Sequence, residues 1–396
     1  MKSNSITVDI GLPEFRVVRY KRSKNRYEIW LEKRLDFGIC PTCGHPTSSY
    51  HDGYERTVQD LPIMGTPVFL HIFQRRFHCP NCKRHFNESF ESVDVYQRQT
   101  RRLQEYLARS VRESSVALAA KKSEIGYRIV ERLYYKGYES FYSNTSKPLP
   151  KRIGMDDFAT RKGCHYGTVF VDLGSSKAKV IEAIPGRSEE DIANFFKSHT
   201  HLREVTEVSM DMWKAFLFAV RRYCPRAKII VDRFHVIKLA GKALNNCRKR
   251  LQKKKELKGS IKSISKLLFS PQDELKPEDQ KRLKGLFTEV PELRKAYRLY
   301  HFLRYWYNTG DLGKARKLLS YWMYQVKKSG IPEFLKLAKT IRKWRKEILN
   351  YFRAFLTNGA VEGIINKIKL IKRVTYGLPN FEHLRARILI ECGSPP

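Results

Sequence analysis

The chain has 396 residues, 42% of them hydrophobic, enough for two or three domains with sizeable cores. Lys and Arg total 77 against 40 Asp and Glu, and the excess of +37 is spread along the chain, which selects polyanionic partners, nucleic acid first among them. No apolar run approaches the roughly 20 residues of a spanning helix, and the opening "MKSNSITVDIGLPEF" lacks a signal-peptide apolar centre, so the expectation is a cytosolic protein with no membrane partner.

Residues 1–95 read as short strands and turns. They carry two C-x-x-C units, "CPTCGHP" with Cys40 and Cys43 and "HCPNCKRHF" with Cys79 and Cys82. Four thiolates close a tetrahedral zinc site and leave no open position, so the metal expected here is structural Zn²⁺. The intervening "RTVQDLPIMGTPVFLHIFQRRFHC" would fill the gap as a hairpin. His45, His51, His78 and His85 lie near enough in sequence to replace one thiolate, but an all-cysteine site is simpler. Two disulfides are the alternative, disfavoured without a secretory signal. Cys164, Cys224, Cys247 and Cys392 are scattered and read as plain thiols.

Residues 96–148 turn helical and basic. A short helix over Ser115 to Lys122, a turn at Ser123 to Gly126 and a second helix from about Tyr127 to Lys136 form a helix-turn-helix pattern. Tyr127, Arg128, Glu131 and Arg132 would face a DNA groove. The alternative is a small helical linker bundle, because the pattern is weak in sequence. The stretch "SNTSKPLPKR" then marks a boundary.

Beyond it "RIGMDDFAT", "HYGTVFVDL" and "AKVIEAIPG" are three successive strand signals, an antiparallel meander. "SEEDIANFFKSH" is an amphipathic helix with a Ser cap, "REVTEVSMD" a strand, "MWKAFLFAVRRYCP" a helix and "AKIIVDRFHVI" a strand. The pattern predicts a mixed sheet with helices around it. From about Lys238 to Arg353 the chain is nearly all helix-like and very basic, with the aromatic run "YRLYHFLRYWY". Its aromatics, Trp306 and Trp322 among them, either pack a helical core or stack a displaced base, packing being the commoner use.

The last long helix lies in "NGAVEGIINKIKLIKRVTYG". Val361, Ile364, Ile365, Ile368 and Ile371 form one apolar stripe. Asn358 and Gly359 suit its start, Gly377 and Pro379 its end. A second stripe holds Glu362, Asn366, Lys369 and Arg373. A single carboxylate ahead of cations is either a solvated face complementing the helix dipole or a metal ligand beside a phosphate-gripping surface.

Three acids fall at telling places: Asp156 on the first strand of the sheet, Asp211 where the fourth strand signal turns into a helix, and Glu362 at the start of the last long helix. Phosphodiester chemistry needs an activated nucleophile and a stabilised leaving oxygen, which two divalent ions about 3.5 to 4 Å apart supply. Hard ions such as Mg²⁺ take oxygen ligands and keep some water, so three carboxylates suffice. By pattern alone Asp157, Asp172 and Asp232 compete for these roles.

These stretches resemble the DDE transposases of bacterial insertion sequences, specifically the ISL-three family. The carrying segments are "IGMDDFATRKGCHYGTVFVDL", "IPGRSEEDIANFF", "VSMDMWKAF", "VDRFHVIK" and "NGAVEGIINKIKLIKRVTYGLPNFEHLRARI", behind the two-knuckle zinc domain. The resemblance spans almost the whole chain. It implies an α/β fold: an RNase H-like mixed-sheet catalytic core with a large all-helical insertion, preceded by a zinc ribbon and a helix-turn-helix. The division expected is 1–95 zinc ribbon, 96–148 helix-turn-helix, 149–240 first part of the core, 241–353 basic helical insertion and 354–396 final helices. It implies Asp156, Asp211 and Glu362 as the metal-binding triad for two Mg²⁺ ions. "DRFH" (Asp232 to His235) is similar to an Asp/Cys-x-x-His element of several transposase superfamilies, with an auxiliary role for Asp232 and His235. The activity implied is cleavage at transposon ends and strand transfer into target DNA. Arg128, Arg132, Asn366, Lys369 and Arg373 are the expected DNA contacts, in a homodimer or larger assembly on nucleoid DNA. The alternatives are an RNase H-fold nuclease without strand transfer and a transposase-derived DNA-binding regulator.

Overall fold

The computed structural model describes residues 10–142, 148–253, 265, 267–354, 356 and 358–393. The boundary stretch "SNTSK" and most of the basic run after Lys253 lie outside the described residues. Two compact units divide between Phe141 and Tyr142.

In the first unit, strands β1 (Phe15–Arg22), β2 (Tyr27–Lys33), β5 (Tyr50–Ile63), β6 (Thr66–His78) and β7 (His85–Asn87) form one sheet, ordered β1-β2-β6-β5 with β7 on β6. The small pair β3 (Gly38–Ile39) and β4 (Pro46–Thr47) sits apart. The hairpin expected between the cysteine pairs is β5–β6. Its turn, Met64–Gly65, has positive φ at both residues, the geometry that matches strand twist. Leu31, Val58, Val68, Leu70 and Ile72 build the core of this sheet.

Three helices follow: α1 (Arg101–Glu113), α2 (Val116–Ser123) and α3 (Tyr127–Tyr142). Thr100 caps α1 and also donates to the buried carboxylate of Asp60 at 2.6 Å, which Arg102 clasps as well, so β5 and α1 are locked together. Ser115 caps α2, Glu124 turns the chain in the left-handed region, and α3 starts at Tyr127, matching the two-helix pattern read from sequence.

The second unit is built on β8 (Arg152–Ala159), β9 (Tyr166–Asp172), β10 (Lys179–Pro185), β11 (Glu207–Met210) and β12 (Lys228–Val231), in the order β10-β9-β8-β11-β12. The first three are an antiparallel meander; β8, β11 and β12 run parallel. Helix α4 (Glu189–Lys197) begins with a Ser188–Asp191 capping box, and α5 (Lys214–Tyr223) follows β11. The last strand is shorter than expected: it ends at Val231, and the "DRFH" segment is the entrance to helix α6 (Arg233–Lys253).

The helical region continues with α7 (Pro277–Glu289), α8 (Pro291–Trp306), α9 (Leu312–Ser329), α10 (Pro332–Lys343), α11 (Arg345–Leu349) and α12 (Tyr351–Ala354). One apolar core runs from the sheet (Ile153, Met155, Phe170, Met210) through α6 into these helices. Arg250 of α6 pairs with Glu292 of α8 at 2.5 Å and with Glu333 of α10 at 2.8 Å. Trp306 and Trp322 are buried, and each indole N–H donates to a backbone carbonyl at 2.9 Å, so both serve packing. Helices α13 (Gly359–Val374) and α14 (Phe381–Cys392) close the unit, α14 lying on β10.

Candidate metal and catalytic centres

The four cysteines converge. Cys40 Sγ lies 3.5 Å from Cys82 Sγ, and Cys43 Sγ 3.5 Å from Cys79 Sγ, with no disulfide formed. The two knuckles are built alike. Gly44 N–H donates to Cys40 O and Lys83 N–H to Cys79 O, with positive φ at both Gly44 and Lys83. Burial opposes ionisation of Cys40, yet the backbone N–H groups of Cys43 and Thr42 bring it down to about 6. A thiolate is the form that binds metal. The donor set is four sulfurs; none of His45, His51, His78 and His85 joins it. It fits a closed tetrahedral zinc site.

The second centre lies on the sheet. Asp156, Asp211 and His235 each bring a ligand atom to within 4.8 Å of the others. Asp156 comes from the middle of β8, Asp211 from the residue after β11, and His235 from the first turn of α6. His235 Nε2 is 2.6 Å from Asp211 Oδ1. Burial, then the Asp211 charge, push the Asp156 carboxyl up to about 7, against the pull of His235. Burial works to lower His235, but its contact with Asp211 and the surrounding carboxylates raise it overall. Two crowded carboxylates with a single cationic partner are a site that a divalent cation would relieve.

Glu362 is not part of that tight group. It is exposed, in the first turn of α13, at the head of the stripe with Asn366, Lys369 and Arg373, all exposed too. The helix itself is placed by Gly154. A methyl on Gly154 would point at Val361 and Leu173, so α13 presses on the face of β8 that Gly154 presents. Side chains alternate along a strand, and Asp156 therefore projects from that same face. Ser209 pairs beside Gly154 in β11, which gives Asp211 the same side. Glu362 thus begins a helix on the acid face of the sheet. Asn358 precedes α13 as expected, but its buried side chain makes no capping bond.

The competing acids have other partners. Asp157 receives Arg187 at 2.5 Å. Asp172 accepts from Gly174 N–H at 2.7 Å and Ser175 Oγ at 2.5 Å, closing a turn. Asp232 is buried, and that burial raises its carboxyl above the ordinary value. Arg128 and Arg132 are exposed on α3. Sequence reasoning overlooked Arg187, whose guanidinium lies 3.6 Å from the Tyr166 ring centre and 4.8 Å from that of Trp213. No periodicity marks it, since its partners come from three separate elements.

Comparison with known proteins identifies a family. A family profile described as transposase, of the ISL-three DDE type, matches residues 153–388. A second, described as zinc-finger of transposase IS204/IS1001/IS1096/IS1165, matches residues 36–82. The chain is 30% identical over 370 residues to the transposase for insertion sequence element IS1001 of Bordetella parapertussis, covering 91% of this chain and 90% of that protein. It is 26% identical over 399 residues to the transposase for insertion sequence element IS1557 of Mycobacterium tuberculosis, covering 89% of this chain and 85% of the relative. With two-knuckle cysteines in front and paired aspartates on the sheet behind, the chain belongs to the ISL-three family of DDE transposases.

Proposed function

We propose that Asp156, Asp211 and Glu362 form the metal-binding triad of this transposase, that the sheet is an RNase H-like core, and that the helices from α6 to α12 are its insertion. The strand order β10-β9-β8-β11-β12, a meander followed by parallel strands, supports the fold reading. The observation that carries the site is the meeting of Asp156 and Asp211 on the sheet face against which α13 packs.

When bound, a pair of Mg²⁺ ions would activate the attacking water or 3′-hydroxyl and offset charge on the leaving oxygen. Asp156 and Asp211 supply the oxygen ligands from the sheet. Glu362 supplies the third from α13. His235 holds Asp211 in its orientation through the 2.6 Å contact. Asn366, Lys369 and Arg373 continue outward from Glu362 and would grip DNA phosphates without reading sequence. The zinc ribbon and the α2–α3 pair, with Arg128 and Arg132, would recognise the terminal inverted repeats. Two ends held together call for a dimer or larger assembly on DNA. No helix among the described residues is long and apolar enough to cross a membrane, in keeping with action on cytoplasmic, nucleoid DNA.

The test is cleavage of labelled transposon-end DNA in Mg²⁺ by wild type, Asp211→Asn and Glu362→Gln. Loss of cutting with end binding retained is the expected result; normal cutting by both variants overturns the triad. Joining of the cut end to a second DNA separates strand transfer from simple nuclease action.

A further inference from the structure

Trp306 and Trp322 are buried and offer no ring to a ligand. Phe234 differs. It is the second residue of α6 and 45% exposed. It also adjoins the acid centre. Its ring lies 5.6 Å from that of His235, nearly perpendicular to it, and His235 Nε2 lies 2.6 Å from Asp211 Oδ1.

From Phe234 an open groove of about 470 Å³ runs along α6. Phe234, Lys238 and Gly241 recur at helical spacing, so they share one face of the helix, with Lys242 beside them. The opposite wall is Phe269 and Tyr300, whose rings pack edge to face at 5.6 Å. Gly241 lies between. A methyl there would stand 3.4 Å from Phe269 Cε1 and 3.7 Å from Tyr300 Cε2, so a longer side chain would take up the space. Glycine inside a helix is destabilising, and here it keeps the groove open.

The lining is aromatic and cationic, with no carboxylate among the described residues. Lys238 and Lys242 are exposed, and Lys238 Nζ stands 5.8 Å from the Phe234 ring centre. Charge and chemistry together choose the occupant. Lysines meet phosphates, and an exposed ring meets the flat face of a base. Bases within a duplex are already stacked on one another, so only unpaired strand has a face to give.

Resting on the reading of Asp156 and Asp211 as the reaction centre, we propose that the α6 groove binds unpaired nucleotides of the DNA strand beside the scissile phosphate. Phe234 is the stacking platform, and Lys238 and Lys242 hold the phosphates. These residues position the strand and take no part in the bond exchange.

The test uses the full chain and a labelled oligo(dT) strand of about ten nucleotides, with its oligo(dA) duplex as competitor. An iodouracil in the strand crosslinks on irradiation to an aromatic ring stacked on it, and mass spectrometry of the peptides locates the bond. The crosslink should map to Phe234, and duplex should compete poorly for it. Phe234→Leu keeps apolar bulk without the ring. It should lose this crosslink and weaken strand binding on the order of tenfold, whereas Phe234→Trp should bind as wild type does. Lys238→Ala combined with Lys242→Ala should flatten the salt dependence of strand binding. Melting temperatures confirm that each variant folds. Crosslinks that map only elsewhere, Phe234→Leu binding as tightly as wild type, or duplex competing as well as single strand each overturn the proposal. Asp211→Asn separates the two claims. Cutting of end DNA by that variant removes the reaction centre, whereas an inactive Asp211→Asn beside a Phe234→Leu that binds strand normally removes the groove alone.

Discussion

Gly154 on β8 and Val361 on α13 meet with no room for a side-chain carbon between them: a methyl on Gly154 would lie 2.4 Å from Val361 Cγ2 and 2.9 Å from Leu173 Cδ1. The contact sits two residues before Asp156 and one before Glu362. It joins the strand of Asp156 to the helix that carries Glu362, and it depends on the smallest residue.

Gly154→Ala should therefore lift the head of α13 from the sheet. Overpacking of this kind costs about 1 to 3 kcal/mol, visible as a lower melting temperature. The expected signature is a loss of Mg²⁺-dependent cleavage beyond what reduced stability accounts for, measured well below the melting point. End binding, assayed by gel shift, should be retained. Wild-type cutting by Gly154→Ala would show that α13 is not held by this contact.

Asp156 and Asp157 are neighbours with opposite duties. Asp156 faces Asp211 and His235, whereas Asp157 holds Arg187 between the rings of Tyr166 and Trp213. Asp156→Asn should abolish cutting. Asp157→Asn should cost about 1 kcal/mol or less, since both partners of its ion pair are partly exposed, and should leave cleavage within a few fold of wild type. Parallel cleavage time courses check this, and equal loss in both variants would place Asp157 in the metal site.

Much of this arrangement was legible in the chain, and the reasons are physical. Strand alternation and helix periodicity reflect local geometry, so the meander, the Ser188 cap of α4 and the apolar stripe Val361, Ile364, Ile365, Ile368 and Ile371 stand in the structure where the residues indicate. Cysteine spacing located the zinc knuckles because two C-x-x-C turns need only come together once. What did not show was contact between distant elements. The reading of "AKIIVDRFHVI" as one strand ran past Val231, because apolar residues continue on both sides of Asp232 and only the start of α6 at Arg233 divides them. His235 was an auxiliary residue in sequence, and its place beside Asp211 is set by where α6 starts. Arg187 lies in the quoted segment "IPGRSEEDIANFF", but nothing in its spacing marks its partners.

The zinc site makes a separate claim on the first unit. Cys40 and Cys79 are buried beside Phe77 and Phe86, a cluster apart from the main core of that unit. Little apolar area supports the knuckles, so metal binding is their folding energy. Chelation, or Cys79→Ser, should release zinc, measured by a colorimetric indicator, and abolish end binding. The melting transition of the second unit, which has its own core, should persist in calorimetry. End binding that survives full zinc loss would take the ribbon out of DNA recognition.

The acid pair also makes the metal response depend on pH in a definite direction. Asp156 stands at about 7 instead of its ordinary 3.8, chiefly through burial, then through Asp211, with Asp157 adding and His235 opposing. A carboxyl raised in the folded state holds a proton that the unfolded chain has released. Its contribution to stability is present below 3.8 and is lost as pH rises through about 7. Because the ion needs the ionised form, metal and proton compete for Asp156. The metal-free chain should lose melting temperature as pH rises through this window, Asp156→Asn should flatten that loss, and stabilisation by Mn²⁺ should grow over the same range. Melting curves from about pH 5.5 to 8, with and without Mn²⁺, test all three. A metal-induced gain that stays constant with pH would mean Asp156 is already ionised when the ion arrives, and would remove the proton from the account of this site.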